Sequence, residues 1–101
     1  MNLPNHGQID NLPRDVIVET LADVGATGAN PMGVGALPTG VLGTIHPHVV
    51  NQELILEAAL TGDRQLALQA LISDPLVHDY RSAPNLLDEL LEAHAAVLPQ
   101  F

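Results

Sequence analysis

The chain has 101 residues, of which 47% are hydrophobic but only 2% are aromatic. It has 12 acidic side chains, three arginines and no lysine, which gives a formal net charge of −9. Nucleic acids and anionic membrane surfaces are bound through clusters of basic side chains, so this charge balance argues against both partners. The absence of cysteine excludes disulfides and thiolate metal sites. No apolar run approaches the ~20 residues of a membrane span, and Met1–Gly7 has no signal-peptide pattern. We therefore expect a cytoplasmic protein.

The N-terminal part of the chain is rich in turn-forming residues. Asn, Gly and Pro within Met1–Pro13 favour turns and extended backbone. The β-branched run Val16–Val18 predicts a short strand, and its lack of alternation predicts that both faces of the strand are covered. From Gly25 to Gly43 the chain carries six glycines and two prolines. We expect this stretch to be an ordered loop wrapped over a surface, without a long helix or a regular strand.

The remainder of the chain is predicted to be helical. The first helix spans about His48–Leu60, with Gly62 as a left-handed cap and apolar residues over most of its girth, which predicts burial on several sides. Asp63 caps a second helix that ends before Pro75. A third helix opens near Pro84. Its apolar stripe is predicted at Leu87, Leu90, Leu91, His94 and Leu98.

Two short motifs suggest cofactor chemistry. Gly33-Val34-Gly35 resembles part of a dinucleotide-binding loop, but position 38 is proline where the third glycine is required, and an ordered turn is the simpler interpretation. His46 and His48 can share a metal ion only in an extended segment, with a third ligand from elsewhere in the chain. The alternative is that they form a polar lead-in to the first helix.

No other cluster predicts an active site. Glu53 and Glu57 share one helix face, which is more typical of a solvated surface than of the facing carboxylates of a glycosidase. His94 is more typical of a core or interface histidine than of a catalytic base. Ser73 and Ser82 lack the accompanying histidine and acid of a hydrolase triad. From the residues alone we expect no self-sufficient catalytic site.

Several segments, taken in order, resemble one known family. Residues 5–13, Asn-His-Gly-Gln-Ile-Asp-Asn-Leu-Pro, are similar to the N-x-G-x-I-x-N-L-P stretch of family 4 glycoside hydrolases, and a hydrophobic strand ending in Val18-Glu19 follows as in that family. The resemblance continues through Gly28, Pro31, Val34-Gly35-x-Leu37-Pro38, Gln52-Glu53-Leu54, Glu57-Ala58, Gly62-Asp63-Arg64, Ala70-Leu71, Asp74-Pro75-Leu76, Leu87-x-Glu89-Leu90-Leu91-x-Ala93-His94 and Leu98-Pro99. It covers essentially the whole chain.

The resemblance implies an enzyme family with an N-terminal dinucleotide-binding domain and a second domain related to that of lactate and malate dehydrogenases. It implies NAD and a divalent metal, typically manganese, which serve to oxidise the sugar at C3, eliminate the glycosidic bond and reduce the product. The family's NAD fingerprint, metal ligands and catalytic tyrosine lie upstream of the matched region, and Tyr80 does not match that tyrosine. No catalytic or cofactor-binding residue is carried over. Asn5 and Gly7 are carried over only as part of a segment on the substrate side.

The sequence thus predicts a single α+β domain over residues 1–101, mainly helical, with a short N-terminal strand, a Gly-rich loop and three helices. We expect the C-terminal domain, or a truncated relative, of a family 4 glycosidase without its NAD-binding domain. Such a chain is expected to bind no cofactor and to be non-catalytic alone. Its apolar character, with a mean hydropathy of +0.20, predicts a homo-oligomer or a missing neighbouring domain. The alternatives are a stand-alone interaction module and a small enzyme with its site at a homo-oligomer interface.

Overall fold

The computed structural model describes residues 1–101, which form two compact units, Met1–His46 and Pro47–Phe101. In chain order the elements are β1 Asn2–Pro4, β2 Ile17–Glu19, β3 Ala22–Gly25, β4 Gly28–Pro31, α1 Thr39–Thr61, α2 Arg64–Ser73 and α3 Ala83–Ala93. The α+β class with three helices is confirmed. That the chain forms one domain stays a prediction, because α1 runs through the boundary between the two units.

The first unit holds two small antiparallel sheets. Strand β1 pairs with β2, with Leu3 opposite Val18, and β3 pairs with β4 in a hairpin. The predicted strand is confirmed in place, but the prediction that both its faces are covered is wrong, since Val18 is 6% exposed and Ile17 is 60% exposed. Successive strand residues point to opposite faces of a sheet. In this two-stranded sheet, the face that carries Val18 is packed within the unit and the face that carries Ile17 is not.

The glycine-rich stretch 25–43 is more regular than predicted. Residues 26 and 27 form the turn between β3 and β4, and Gly28, the first residue of β4, has a φ of +107°, a backbone conformation that glycine adopts without steric cost. Helix α1 already begins at Thr39, so Gly40 and Gly43 are helical. An interior glycine costs a helix only about 1 kcal/mol relative to alanine, too little to stop it. The prediction of an irregular loop across the whole stretch is therefore wrong at both ends.

Helix α1 continues through a proline. Pro47 lies inside the helix, where its missing N–H leaves the carbonyl of Gly43 without an intrahelical donor. One lost bond does not end the helix, so the predicted start near His48 is wrong. The predicted end is confirmed: α1 closes at Thr61, and Gly62 has the left-handed φ of +70°.

The other two helices follow their capping signals. The Asp63 carboxylate accepts hydrogen bonds from two backbone N–H groups of the first turn of α2, at 2.8 and 3.2 Å. Helix α2 ends at Ser73, before Pro75, and Pro84 lies in the first turn of α3. These three predictions are confirmed. Each of them depends on one residue at a helix end, either a capping carboxylate or a proline ring, and not on distant parts of the chain.

The core of the second unit is built from small residues. Ala58, Ala70 and Ala83 are at most 3% exposed, and Leu87 is 6% exposed. Asn51, 5% exposed, ties α1 to α2 by donating from Nδ2 to the carbonyl of Ala70 at 2.6 Å. Alanine and leucine thus supply the buried apolar side chains of this unit.

Two predictions about burial in the helices are wrong. On α1, Leu56 and Leu60 are 53% and 77% exposed, so this helix is packed on one side within the chain instead of several. On α3, the stripe ends early: the helix stops at Ala93, His94 is its exposed C-cap, and Leu98 lies beyond it. No helix in the structure combines the length and hydropathy that a membrane crossing requires.

Candidate functional site

The motif at residues 5–13 folds around one buried amide, and we call this segment the amide loop. Asn5 is 2% exposed. Its Nδ2 donates to the carbonyls of Ile9, Leu12 and Pro13 at 2.9, 3.1 and 3.0 Å. Its Oδ1 accepts from the backbone N–H groups of Gly7 at 3.3 Å and Ile9 at 3.0 Å. The side chain of Asn5 thus holds both ends of the loop together.

Gln8 provides a second buried amide. It is 4% exposed; its Oε1 accepts from the backbone N–H of His6 at 2.6 Å, and its Nε2 donates to the carbonyl of Pro4 at 2.7 Å. Between these two residues Gly7 takes a φ of +116°, where any side chain is strained. Two buried amides and one glycine therefore fix the path of the backbone at the start of the loop.

A third amide joins the amide loop to residues 33–37. Asn11 Nδ2 donates to the carbonyl of Leu37 at 2.9 Å, and its Oδ1 accepts from the backbone N–H of Leu37 at 2.8 Å. The N–H of Val34 donates to the carbonyl of Gln8 at 2.8 Å, and a parallel β-bridge pairs Ile9 with Gly35. Gly33-Val34-Gly35, considered above as part of a dinucleotide loop, is instead a segment bonded to the amide loop through this bridge.

One exposed histidine–aspartate pair lies beside the amide loop. His6 Nε2 lies 2.9 Å from Asp15 Oδ1, with the two side chains 60% and 75% exposed. Asp15 has a φ of +69°, and its backbone N–H donates to the Asn5 carbonyl at 3.1 Å. A non-glycine residue in the left-handed region is uncommon and is held there by its surroundings. The pair leaves His6 Nδ1 free at the surface of the first unit.

The two residues carried over from the family differ in what they can contact. Every polar group of the Asn5 side chain is committed to the protein's own backbone; that this segment lies on the substrate side of the intact enzyme stays a prediction. Gly7 is exposed, but its backbone N–H is bonded to Asn5. Asn5 shapes the loop, and His6 is the exposed polar side chain beside it.

The remaining candidates are not brought together. His46 and His48 lie inside α1, where residues two apart point roughly 200° away from each other. The extended geometry in which these two imidazoles can share a metal ion is therefore not present. Glu53 and Glu57 are exposed on the same helix. His94 is exposed and its Nδ1 lies 2.8 Å from the carbonyl of Leu90, a contact within its own helix end.

The second unit contains an open cavity of about 270 Å³ between its three helices and the C-terminal residues, which we call the apolar groove. Asp74 is its one charged lining residue. The apolar lining residues are Ile55, Ala58, Ala59, Ala67, Ala70, Leu71, Leu87, Leu90, Leu98 and Phe101. Sequence reasoning missed both this groove and the roles of Gln8 and Asn11. The repeated amides at positions 5, 8 and 11 were the one signal for the latter.

The side chains of this chain do not form a site for NAD or manganese by themselves. No three histidine, aspartate or glutamate side chains come close enough together to hold a metal ion. No strand–glycine loop–helix unit offers backbone N–H groups to a pyrophosphate, because Gly33-Val34-Gly35 is bridged to the amide loop. We therefore derive no chemical step through either group on this chain.

Solved structures of glycosidases share this fold. The 6-phospho-β-glucosidase of Thermotoga maritima, solved with manganese, NAD⁺ and glucose 6-phosphate, superposes with a TM-score of 0.86 at 35% identity, over 96% of this chain and 24% of that one. A 6-phospho-α-glucosidase from gut microorganisms, solved with NAD and glucose 6-phosphate, gives a TM-score of 0.91 at 32% identity, over 97% of this chain and 22% of that one. The fold is that of a segment of these enzymes.

Sequence comparison defines the family. The family 4 glycosyl hydrolase C-terminal domain matches residues 1–77. The chain is 43% identical over 101 residues to a probable 6-phospho-β-glucosidase of Bacillus subtilis, covering all of this chain and 23% of that protein. It is 39% identical over 104 residues to an α-galacturonidase of Lachnoclostridium phytofermentans, covering 99% of this chain and 22% of that protein. The chain belongs to the family 4 glycosyl hydrolases, in their C-terminal domain, and spans about a fifth of the length of these relatives.

Proposed function

We propose that this chain works as the C-terminal segment of a family 4 glycosidase and does not cleave glycosides by itself. The supporting observation is the coverage: the match takes in the whole chain but only 23% of the Bacillus subtilis relative. The described side chains add support, because Asn5 and Gln8 are committed to folding the amide loop and the groove of the second unit is apolar. The contribution of the chain is then to complete the enzyme's fold.

The relatives suggest the class of substrate. They include 6-phosphoglucosidases and α-galacturonidases, and the substrates of both carry an anionic group at C6 of the sugar. We propose a glycoside of this anionic class for the intact enzyme. The exposed imidazole of His6 on the amide loop offers a ring N–H that can donate a hydrogen bond to such an anion.

The cofactors belong to the same proposal. Solved relatives contain NAD and manganese, and NAD supplies hydride-transfer chemistry where it binds. We assign both to parts of the intact enzyme outside the matched segment. A cytoplasmic location and self-association through exposed apolar side chains are further parts of the proposal. The latter is supported by the exposure of residues such as Leu56 and Leu60 on α1.

A segment exchange tests the proposal. The matched segment of the Bacillus subtilis relative is replaced by this chain, and a 6-phospho-β-glucoside with a chromogenic leaving group is assayed with NAD and Mn²⁺. We expect the chimera to be active, and the relative without its segment and the 101-residue chain alone to be inactive. A chimera that folds with the melting temperature of the relative but has no activity contradicts the proposal.

The same experiment separates the alternative functions. A stand-alone interaction module predicts a chimera without activity and an isolated chain that binds another protein. A small enzyme formed across a homo-oligomer interface predicts hydrolysis by the isolated chain, at a rate per chain that rises with protein concentration. Light scattering measured on the same samples gives the oligomeric state for each assay.

A further inference from the structure

We infer that the turn of α1 at residues 43–47 is a hinge about which the two units of the chain change their relative orientation. The boundary between the units falls between His46 and Pro47, inside this turn. Hinges are short segments, often of small residues, that absorb a change of backbone angles while the elements on either side stay intact. The hinge is a property of this chain and does not depend on the activity proposed for the intact enzyme.

The first support is the hydrogen bonding of this turn. Pro47 has no N–H, so the carbonyl of Gly43 has no intrahelical donor, and the proline ring crowds that same carbonyl. In the same part of the helix, the Thr44 hydroxyl donates to the carbonyl of Gly40 at 3.2 Å, a bond of the kind that often bends a helix. Proline is the least favourable residue in a helix interior, and glycine is the next. The backbone of α1 is therefore weakest at the boundary between the units.

The second support is the lack of packing around the turn. Every residue from 43 to 48 is exposed. A methyl group added at Gly40 or Gly43 would meet no atom within 4 Å, so the backbone has open space on these sides. Segments with few buried contacts and exposed backbone hydrogen bonds are the ones that open locally. No buried side chain of this turn holds the helix at a fixed angle.

The third support is that the segments on either side of the turn are fixed within their own units. Before α1, the side-chain amide of Asn11 holds both the carbonyl and the N–H of Leu37, at 2.9 and 2.8 Å. After the turn, the buried side chain of Asn51 donates to the carbonyl of Ala70 at 2.6 Å. Because both ends are held and the turn between them is not, bending is concentrated in residues 43–47.

Amide hydrogen exchange of the full 101-residue chain tests whether the turn opens. Relative to their intrinsic rates, we expect the N–H groups of residues 44–46 and 48 to exchange at least about tenfold faster than those of residues 54–58. The double substitution Gly43→Ala with Pro47→Ala restores the missing donor and should slow this exchange at least about tenfold. Val50→Ala raises the helix propensity of α1 at an exposed position beyond the turn and is the matched control. It should change the exchange by less than about threefold.

Residual dipolar couplings measure whether the two units reorient. In the wild-type chain we expect the couplings of residues 1–42 and of residues 48–101 to require separate alignment tensors, because bending at the turn averages the two units differently. In the double variant a continuous helix joins the units, so one tensor should fit both sets. Val50→Ala should keep the two tensors of the wild type.

Three results would overturn the inference. The first is a wild-type chain whose couplings fit one tensor, and the second is a turn whose amides exchange as slowly as those of residues 54–58. The third is a double variant that still requires two tensors, because the flexible joint then lies elsewhere. If the double variant does not fold, Gly43→Ala alone decides: we expect it to slow exchange in the turn about fivefold, and unchanged exchange counts against the hinge.

Discussion

We expect the buried side-chain amide of Asn5 to contribute strongly to the free energy of unfolding. The substitution Asn5→Ala removes five side-chain hydrogen bonds to the backbone of the amide loop. Two amide hydrogens serve three carbonyls, and the bond from the Gly7 N–H is long at 3.3 Å, so about three of these bonds are fully formed. At about 1 kcal/mol net for each, we expect the free energy of unfolding to fall by about 3 kcal/mol. That is a large part of the 5–15 kcal/mol typical of a domain.

The substitution Asn5→Asp separates hydrogen bonding from loss of volume. It keeps the shape of the side chain but puts a carboxylate oxygen against three carbonyl oxygens, where the amide now donates at 2.9–3.1 Å. The protonated acid still donates one bond, so the pKa of this aspartate is raised in the folded state. Stability then falls as the pH rises through that pKa. We expect Asn5→Asp to be closest to wild type in acid and no better than Asn5→Ala at neutral pH.

The assay combines urea unfolding, followed by circular dichroism, with amide hydrogen exchange. The backbone N–H of Ile9 is the local probe, because it donates to Asn5 Oδ1 at 3.0 Å and should lose its protection in both variants. Asn2→Ala, at an exposed position of β1, is the matched control. If Asn5→Ala unfolds within about 0.5 kcal/mol of wild type with Ile9 still protected, the reasoning that Asn5 holds the loop is refuted.

Three smaller predictions follow from other local contacts. Asn11→Ala removes the two bonds that hold residues 33–37 to the amide loop; we expect a loss of about 1–2 kcal/mol and faster amide exchange in that segment, and unchanged exchange would contradict it. Gly62→Ala places a methyl group at a φ of +70° and against the carbonyl of Gln100, so we expect it to lower the melting temperature. Gly43 lies inside α1 with open space around it. We therefore expect Gly43→Ala to raise the free energy of unfolding by about 0.5–1 kcal/mol. The Ser82 hydroxyl is the main cause of the lowered pKa of Asp79; Ser82→Ala should move that pKa upward towards its ordinary value in a carboxyl NMR titration, and an unchanged midpoint would show that the hydrogen bond is not formed in solution.

The sequence alone determined the features that depend on a few neighbouring residues. The Asp63 cap, the left-handed Gly62 and the stop before Pro75 all follow from constraints that act within one turn of helix. The ordered series of motifs was enough to indicate the family. Each of these signals depends only on residues close together in the sequence, so it can be recognised without knowing how the rest of the chain folds.

Sequence reasoning failed where the balance of several small terms decides the outcome. Gly40 and Gly43 were expected to exclude a helix and the first helix was expected to begin near His48, yet α1 spans Thr39–Thr61 and includes Pro47. Each of these residues lowers helix stability, but the long apolar sequence around them favours one continuous helix. Val16–Val18 was expected to be covered on both faces, but Ile17 is exposed, because a run of apolar residues cannot show how many layers pack against it.

Only the tertiary structure decided what the motif residues do. The sequence places Asn5 in a family motif, but it cannot show whether an amide faces a ligand or its own backbone. The folded loop shows that the polar atoms of Asn5 are all bonded internally, whereas His6 beside it is exposed. The apolar groove was equally hidden, since its lining comes from four separate segments of the second unit. The burial of a side chain and the direction in which it points depend on residues that are distant in the sequence and close in the fold. A single stretch of sequence therefore does not reveal either of them.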